Sequence, residues 1–298
     1  MTPNLAVTDP AFLGVAGASG GASWSTAYEN SILGGGTDPM WTAHNYAMKF
    51  VSGTWSNITA LPADRQLLQG GGNHDDGIMI AGDSSGTSNP EDDVYGWNGS
   101  VWSSLALISM GSMMLGGGGN MTDAIWMGGT YAYTDTCQTF NGSSWTTKNS
   151  LVNGTRGCMG SGKSDGAWCM GGYTTGATNQ TWNQQFDGTN WALSVATPTT
   201  EFYSYNGGSG LPTSAIVSQQ GTTGGCYMFD GSAFSQTSAT NYIRKYRMVS
   251  GDNTNALKNG GSDNGNSLTT EYYDSSTWQT SGSMTIATFG CGQGGNTV

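Results

Sequence analysis

Hydrophobic and polar positions along this chain form short bursts, and one arrangement recurs six times. Each copy has an aromatic residue, four intervening residues that are mostly small and polar, and a second aromatic residue. The six copies lie at residues 50–55, 97–102, 140–145, 186–191, 229–234 and 273–278. Asn-Gly and Asp-Gly dipeptides inside several copies favour tight antiparallel turns, and residues that flank such turns face each other across two strands. The pattern predicts six β-hairpins.

Further strand signals precede each hairpin. A short apolar run, in most copies ending in glycine, lies upstream, as in GIMIAG (77–82) and AIWMGG (124–129), and a glycine-rich stretch such as LLQGGGN (67–73) comes before most of these runs. Each unit therefore contains four short strands. The density of glycine argues against helices of useful length.

The spacing of the units indicates the architecture. The second aromatics of successive hairpins are 47, 43, 46, 43 and 44 residues apart. Four antiparallel strands repeated at this period are typical of a β-propeller, whose blades bury their faces against each other in a ring. We expect an all-β, six-bladed propeller in which the glycine-rich strand lies nearest the axis, because strands crowd there and only small residues fit.

The sequence resembles the kelch family, including the kelch-like central domain of galactose oxidase. The resemblance rests on strands that end in Gly-Gly and are followed by an aromatic residue and then Trp, with the closest matches at 61–83 and 151–173. It covers roughly residues 25–298. The sequence departs from the family pattern at Gly82 and Gly221, where the Gly-Gly pair is incomplete, and at Phe234, which replaces Trp.

The two ends of the chain predict how the ring closes. Residues 286–298 resemble a glycine-rich first strand without a second strand after it, and the run at 31–36 has no such partner before it. We expect strands from both ends to share one blade, as a velcro closure, with seven blades as the alternative. Residues 26–298 then form a single propeller domain, and residues 1–25 form an N-terminal arm or an extra strand.

Composition narrows the function classes. The chain has 298 residues, 49 of them glycine, with 10% charged residues and a formal net charge of −11. Its 7 prolines exclude collagen, and its 11 Trp and 13 Tyr exclude a charged disordered chain. The acidic balance argues against nucleic-acid binding and against docking on anionic lipid. The N-terminal residues lack a basic region, so we predict no signal peptide, and no apolar run has the length of a membrane span.

Three arginines and three aromatics are candidate binding residues. Arg65, Arg156 and Arg247 are separated by 91 residues each, which predicts corresponding positions on alternate blades. They form either a convergent cluster that grips a carboxylate or framework contacts to loop carbonyls and acids. The aromatics, which either stack on sugar faces or belong to the core between blades, are Trp41, Trp182 and Tyr203.

The sequence offers little for a metal or cofactor. His44 and His74 are the only histidines, which disfavours copper or zinc chemistry, and we expect no cofactor. The acidic positions that form either a calcium site or a solvated loop are Asp75, Asp76, Glu91, Asp92 and Asp93. The five cysteines are expected as buried thiols, and a bridge between Cys158 and Cys169 is left open.

These features predict a non-enzymatic binding or structural protein. In composition the chain resembles kelch-like propellers of tailed-bacteriophage virions, which implies a tail-fibre, tail-associated or capsid-decorating protein on the virion surface, assembled in the host cytoplasm. The expected partners are other virion proteins through residues 1–25, a symmetric assembly site, and a host surface glycan or protein, without nucleic acid or membrane insertion. The alternatives are a sialidase-like or lyase-like carbohydrate-active enzyme that uses the arginines, and a cellular kelch interaction module.

Overall fold

The structure is a computed structural model. It describes residues 30–295, except residue 39 and the segments 85–88, 131–132, 175–177, 204–206, 221–224 and 263–266. The N-terminal arm predicted at residues 1–25 therefore lies outside the described residues. Every regular element in the described part is a β-strand. The described residues contain no helix with the length and apolar character that a membrane crossing requires.

Six four-stranded antiparallel sheets form the blades. Blade 1 contains β1 (Asn30–Gly34), β2 (Ala47–Val51) and β3 (Thr54–Asn57). Blade 2 contains β4 (Gln69–Gly72), β5 (Gly77–Ile80), β6 (Val94–Trp97) and β7 (Trp102–Ser104). Blade 3 contains β8 (Gly116–Gly119), β9 (Ala124–Met127), β10 (Cys137–Phe140) and β11 (Trp145–Thr147).

The second half of the ring repeats this order. Blade 4 contains β12 (Met159–Lys163), β13 (Gly166–Met170), β16 (Asn183–Phe186) and β17 (Trp191–Leu193), with a small hairpin of β14 (Tyr173–Thr174) and β15 (Thr178–Asn179) in one loop. Blade 5 contains β18 (Gly208–Ser209), β19 (Ala215–Ser218), β20 (Cys226–Phe229) and β21 (Phe234–Gln236). Blade 6 contains β22 (Met248–Gly251), β23 (Ala256–Asn259), β24 (Thr270–Tyr273) and β25 (Trp278–Thr280).

The ring closes through the last described strand. β26 (Gly292–Gly294) pairs antiparallel with β1, so that Ile32 lies opposite Gly294. The first strand of each blade contacts the first strand of the next blade around the axis, and β26 contacts both β4 and β22. The predicted six-bladed propeller with velcro closure is confirmed, and the seven-blade alternative is wrong.

The predicted hairpins form in the predicted register. In all six blades the two aromatics lie directly opposite each other on the third and fourth strands. Their ring centroids are 4.6–5.2 Å apart, from Phe229–Phe234 to Trp97–Trp102. The aromatic pairs therefore stabilise the outer half of every blade.

Glycine is required at the axis because the inner strands touch through their backbones. A Cβ atom added to Gly71 would lie 2.3 Å from the carbonyl oxygen of Gly119 in the next blade, and one added to Gly70 would lie 2.4 Å from the nitrogen of Gln293. The space left on the axis is about 10 Å³, about the volume of one water probe. Between these inner strands the axis is closely packed.

The Gly-Gly pairs of the B–C loops, which connect the second strand of a blade to the third, link each blade to the next. The second glycine donates its N–H to a carbonyl of the following loop, as Gly129 does to Thr155 at 2.8 Å. Ala81 keeps the left-handed conformation, with φ of 61°, in place of the first glycine. In blade 5 the Gln220 N–H bonds to Glu201 of the preceding loop, while its side-chain Oε1 accepts the N–H of Tyr246 at 2.5 Å. In this blade, where Gly-Gly is missing, the side chain of Gln220 thus makes the hydrogen bond to the segment that leads into the next blade.

The antiparallel order gives the disc two different faces. The short-turn face carries the tight turns between first and second and between third and fourth strands, such as 73–76 and 98–101. The long-loop face carries the B–C loops and the connections to the next blade. The described residues of this face are 35–38, 40–46, 58–68, 81–84, 89–93, 105–115, 128–130, 133–136, 148–158, 171–174, 178–182, 194–203, 207, 219–220, 225, 237–247, 260–262, 267–269 and 281–291.

Candidate functional site

Exposed apolar side chains concentrate on the long-loop face. Among the described residues, eight of the ten large exposed hydrophobics belong to its segments, led by Met40 at 82% and Leu107 at 55% exposure. The other six are Trp41, Met110, Val152, Val195, Ile243 and Leu268. The described turns of the short-turn face instead carry aspartates and no lysine or arginine. This asymmetry makes the long-loop face the candidate interaction surface.

A cluster of aromatic rings lies on this face. Trp41 is 42% exposed and makes edge contacts with Phe289 at 4.9 Å and with Tyr246 at 5.9 Å between ring centroids. Tyr246 and Phe289 stack on each other at 5.5 Å. The cluster therefore joins a loop of blade 1 to the segments that lead into blades 6 and 1.

Two more tyrosines extend the cluster. Tyr173 and Tyr203 are half-buried, with ring centroids 5.1 Å apart. Burial, and then the neighbouring Tyr203 and Tyr246, raise the pKa of Tyr173, so its hydroxyl stays protonated. We call Trp41, Tyr173, Tyr203, Tyr246 and Phe289 the aromatic rim.

The local backbone explains how the rim is positioned. Tyr246 adopts a left-handed conformation, with φ of 57°, two residues before β22. Leu67 and Met114 occupy the same place before β4 and β8, with φ of 56° and 54°. Their N–H groups bond from blade to blade, from Met114 to Leu67 at 3.0 Å and from Leu67 to Gly290 at 2.6 Å. These bonds hold strained non-glycine residues near the axis of the long-loop face.

The three arginines do not occupy corresponding positions, so that expectation is wrong. Arg156 forms a backbone β-bridge with Tyr173. Gln66 forms the equivalent β-bridge with Asp83, and Lys245 forms it with Ser262. Arg65 lies one place earlier in the repeat and Arg247 two places later. The 91-residue spacing is coincidental, because blades differ in loop length and shift the repeat against the residue count.

Each arginine also has its own surroundings. Arg65 is buried and pairs with Asp93, while its Nη1 donates to the carbonyl of Asp64 at 2.7 Å. This is the contact set of a framework arginine.

The other two arginines differ from Arg65 and from each other. Arg156 is half-buried, with its guanidinium 4.9 Å from the ring centre of Tyr133. Arg247 is fully buried, and its Nη1 donates to Ser218 Oγ at 3.1 Å. Desolvation lowers the pKa of Arg247. Arg156 is the one that lies beside the aromatic rim, through its bridge to Tyr173.

The structure places the three aromatic residues predicted to bind in different surroundings. Trp41 and Tyr203 belong to the rim. Trp182 is half-buried beside Gly171, whose N–H donates to its carbonyl at 2.7 Å. Tyr173, Tyr246 and Phe289 were missed by sequence reasoning, because the pattern of the repeat does not show that loops of blades 1, 4 and 6 meet.

The acidic pairs do not form one calcium site. Asp75 and Asp76 precede β5, whereas Asp92 and Asp93 precede β6, which is antiparallel to β5. The two pairs therefore lie at opposite ends of blade 2. Asp76 Oδ1 accepts the N–H of Met121 at 3.0 Å. Within the described part of the chain, no group of three or more His, Cys, Asp or Glu residues is placed to hold a metal ion.

The five cysteines are buried thiols outside any disulfide bond, as expected. Cys158 and Cys169 contact each other without a bridge. A hydrogen bond with Cys158, together with burial, raises the pKa of Cys169. The thiols of Cys158 and Cys169 pack in the hydrophobic core between blades 3 and 4.

Comparison with known proteins supports the fold. No protein-family model matches the sequence, and no curated protein matches it. Among solved structures, that of YjhT, a propeller protein, is similar to this chain with a TM-score of 0.62 at 12% sequence identity. The match covers 85% of this chain and 97% of YjhT. At this identity the similarity shows the shared six-bladed β-propeller fold alone.

Proposed function

We propose that this chain is a non-enzymatic binding protein whose long-loop face recognises a surface glycan. The aromatic rim is the observation that carries the proposal. It combines an exposed tryptophan with Tyr173 and Tyr203, whose pKa values are raised by burial, on a rigid ring of blades. Aromatic faces pack against the apolar faces of sugars, and tyrosine hydroxyls bond to sugar hydroxyls.

The surrounding groups support a binding role. Arg156 lies over Tyr133 beside the rim and supplies guanidinium donors on the same face. The exposed apolar loop residues give the outer part of the face a surface for protein contacts as well. The alternative of a carbohydrate-active enzyme built on three convergent arginines loses its main support, because the arginines occupy different positions of the repeat.

The finer proposal is a virion-exposed protein of a tailed bacteriophage, of the kelch-like kind. It is supported by the low charged fraction, the high glycine content and the charge asymmetry between the faces. In this proposal the long-loop face points outward to a host glycan or protein. Residues 1–25 attach the propeller to other virion proteins at a symmetric site.

A single substitution tests the rim. Trp41→Ala removes an exposed aromatic face and is expected to weaken glycan binding about tenfold, which corresponds to about 1.4 kcal/mol. Binding would be measured on an immobilised panel of bacterial surface polysaccharides. Leu193→Ala is the matched control, because Leu193 is 55% exposed at the end of an outer strand away from the rim. Equal binding by both variants, or no binding by the unaltered protein, contradicts the proposal.

The virion assignment has a separate test. Mass spectrometry of purified phage particles is expected to detect the chain in stoichiometric amounts. A variant without residues 1–25 is expected to fold and to be missing from the particle. Incorporation of that variant at normal levels would contradict the anchoring role.

A further inference from the structure

A groove of about 440 Å³ runs along the outer strands between blades 3 and 4, from Asp123 and Ser164 at the short-turn face to Lys148 at the far end of β11. One wall consists of Thr139 on β10 with Thr146 and Lys148 on and after β11. The floor is formed by Asp123 and Ser164, from the first turns of the two blades. This groove is separate from the aromatic rim, because none of the five rim residues lines it.

The groove is open because Ser164 and Thr139 stand where the neighbouring groove has Met121 and Gly96. Between blades 2 and 3 the equivalent space is occupied by Met121, whose Sδ would lie 2.6 Å from a Cβ added to Gly96. Met121 and Ser164 are equivalent, because the Met121 N–H donates to Asp76 Oδ1 and the Ser164 N–H donates to Asp123 Oδ1, both at 3.0 Å. A serine therefore stands where the neighbouring groove has a methionine.

The wall presents two threonines and a lysine to the groove. Thr139 and Thr146 lie directly opposite each other in the β10–β11 ladder, and Thr139 is only 6% exposed. Within the part of the chain that the structure describes, Lys148 is half-buried and forms no ion pair. The carboxylate of Asp123 already accepts a backbone N–H through Oδ1.

These groups define the chemistry of a ligand. A partly desolvated ammonium group without an acid partner favours an anionic group, and opposed hydroxyls suit a ligand that both donates and accepts hydrogen bonds. The volume lies within the range of small-ligand pockets. We propose that this groove binds an acidic saccharide unit, with its carboxylate at Lys148 and its hydroxyls at Thr139 and Thr146. The site is independent of the glycan site proposed on the long-loop face.

The test uses glucuronate and glucose as probes with the full chain, in a calorimetric or NMR titration. Glucuronate is expected to bind saturably and at least tenfold more tightly than glucose. Ser164→Met, which places the filler of the neighbouring groove here, is expected to abolish binding. Lys148→Met is expected to weaken glucuronate binding at least tenfold. The control is Lys245→Met, which removes an exposed lysine from the long-loop face and is expected to change nothing.

Thermal unfolding of each variant verifies that the fold is retained. Glucuronate binding by Ser164→Met at the level of the unaltered protein overturns the proposal, as does a failure of the unaltered protein to bind. Equal binding of glucose and glucuronate, unaffected by Lys148→Met, overturns the assignment of an acidic ligand. Loss of glucuronate binding in Trp41→Ala alone would place the ligand at the aromatic rim instead.

Discussion

At the scale of single residues, one buried position on the third strand is neutral in blade 3 and charged in blade 6. In blade 3, Gln138 on β10 accepts a bond from Trp126 Nε1 at 3.0 Å and one from the N–H of Ser109 at 3.0 Å. In blade 6 the same place holds Glu271, which accepts the N–H of Asn241 at 2.6 Å and pairs with Lys258 at 3.2 Å. A buried ion pair thus replaces a neutral pair.

This pair gives a stability prediction. Glu271→Gln leaves the buried ammonium of Lys258 without a carboxylate, which costs roughly 3–5 kcal/mol in comparable sites. The double variant Lys258→Met with Glu271→Gln restores a neutral pair and is expected to be at least as stable as the unaltered protein at pH 7. Urea unfolding measures both. A double variant as unstable as the single one would contradict the framework role of the pair.

The same lysine gives a pH dependence. Desolvation, and then Arg247, lower the pKa of Lys258 from 10.5 to about 8 in the folded protein. The unfolded chain therefore binds more protons than the folded chain between pH 8 and 10.5. The contribution of Lys258 to the free energy of unfolding should rise with pH from 8 upward, whereas buried thiols with raised pKa values, such as that of Cys137, contribute a fall that all variants share. The free energy of unfolding of the unaltered protein, measured relative to that of the double variant, is therefore expected to rise between pH 8 and 9.5.

At the scale of elements, four of the six hairpins are bonded to the preceding blade through the indole N–H of their outer-strand tryptophan. Trp102 Nε1 donates to the carbonyl of Thr59 and Trp145 Nε1 to that of Ala106, both at 2.8 Å. Phe234 has no such donor, and its ring instead lies 6.3 Å from that of Phe202. The outer strands therefore fasten neighbouring blades as well as closing their own.

Replacing one of these tryptophans tests the bond. Trp145→Phe keeps the aromatic pair with Phe140 but leaves the carbonyl of Ala106 without its donor. The expected cost is about 1–2 kcal/mol in chemical denaturation. Trp41→Phe is the control and is expected to change stability by less than about 0.5 kcal/mol, because its ring lies at the surface. Equal effects of the two substitutions would mean that the Trp145 bond adds nothing.

The sequence predicted these elements well because they depend on local patterns. Paired aromatics around Asn-Gly or Asp-Gly specify a hairpin whatever surrounds it, as at 140–145. The arginine register was predicted wrongly, because residue counting ignores differences in loop length. The aromatic rim was not predictable, because Trp41 meets Tyr246 and Phe289 only after the ring closes. The groove of blades 3 and 4 shows only when Ser164 is compared with Met121 in three dimensions.

At the scale of the whole molecule, the closed ring sets how closely the blades approach. Gly71 and Gly119 come into backbone contact because β26 fixes the circumference of the ring. The side chains that line the axis are short or hydrogen-bonded, as Gln69 is to the carbonyl of Gly117 at 2.8 Å. The ring cannot widen at one blade without separating the others.

A methyl group at the axis tests this constraint. Gly71→Ala places a Cβ atom against the Gly119 carbonyl and is expected to cost about 1–3 kcal/mol or more, measured by urea unfolding. The control is Gly166→Ala, because a Cβ there would have its nearest neighbour at 3.8 Å. That substitution is expected to leave stability unchanged or to raise it by up to about 1 kcal/mol. If both variants are equally stable, the inner ring is looser than the backbone contacts indicate.

The pairing of β1 with β26 also has a consequence for biosynthesis. While the ribosome is still translating, blade 1 has only three strands, and its inner edge has no partner until residues 292–294 emerge. An unpaired strand edge is a template for association with other chains. The nascent propeller therefore carries an open edge from the synthesis of β1 until β26 has been made.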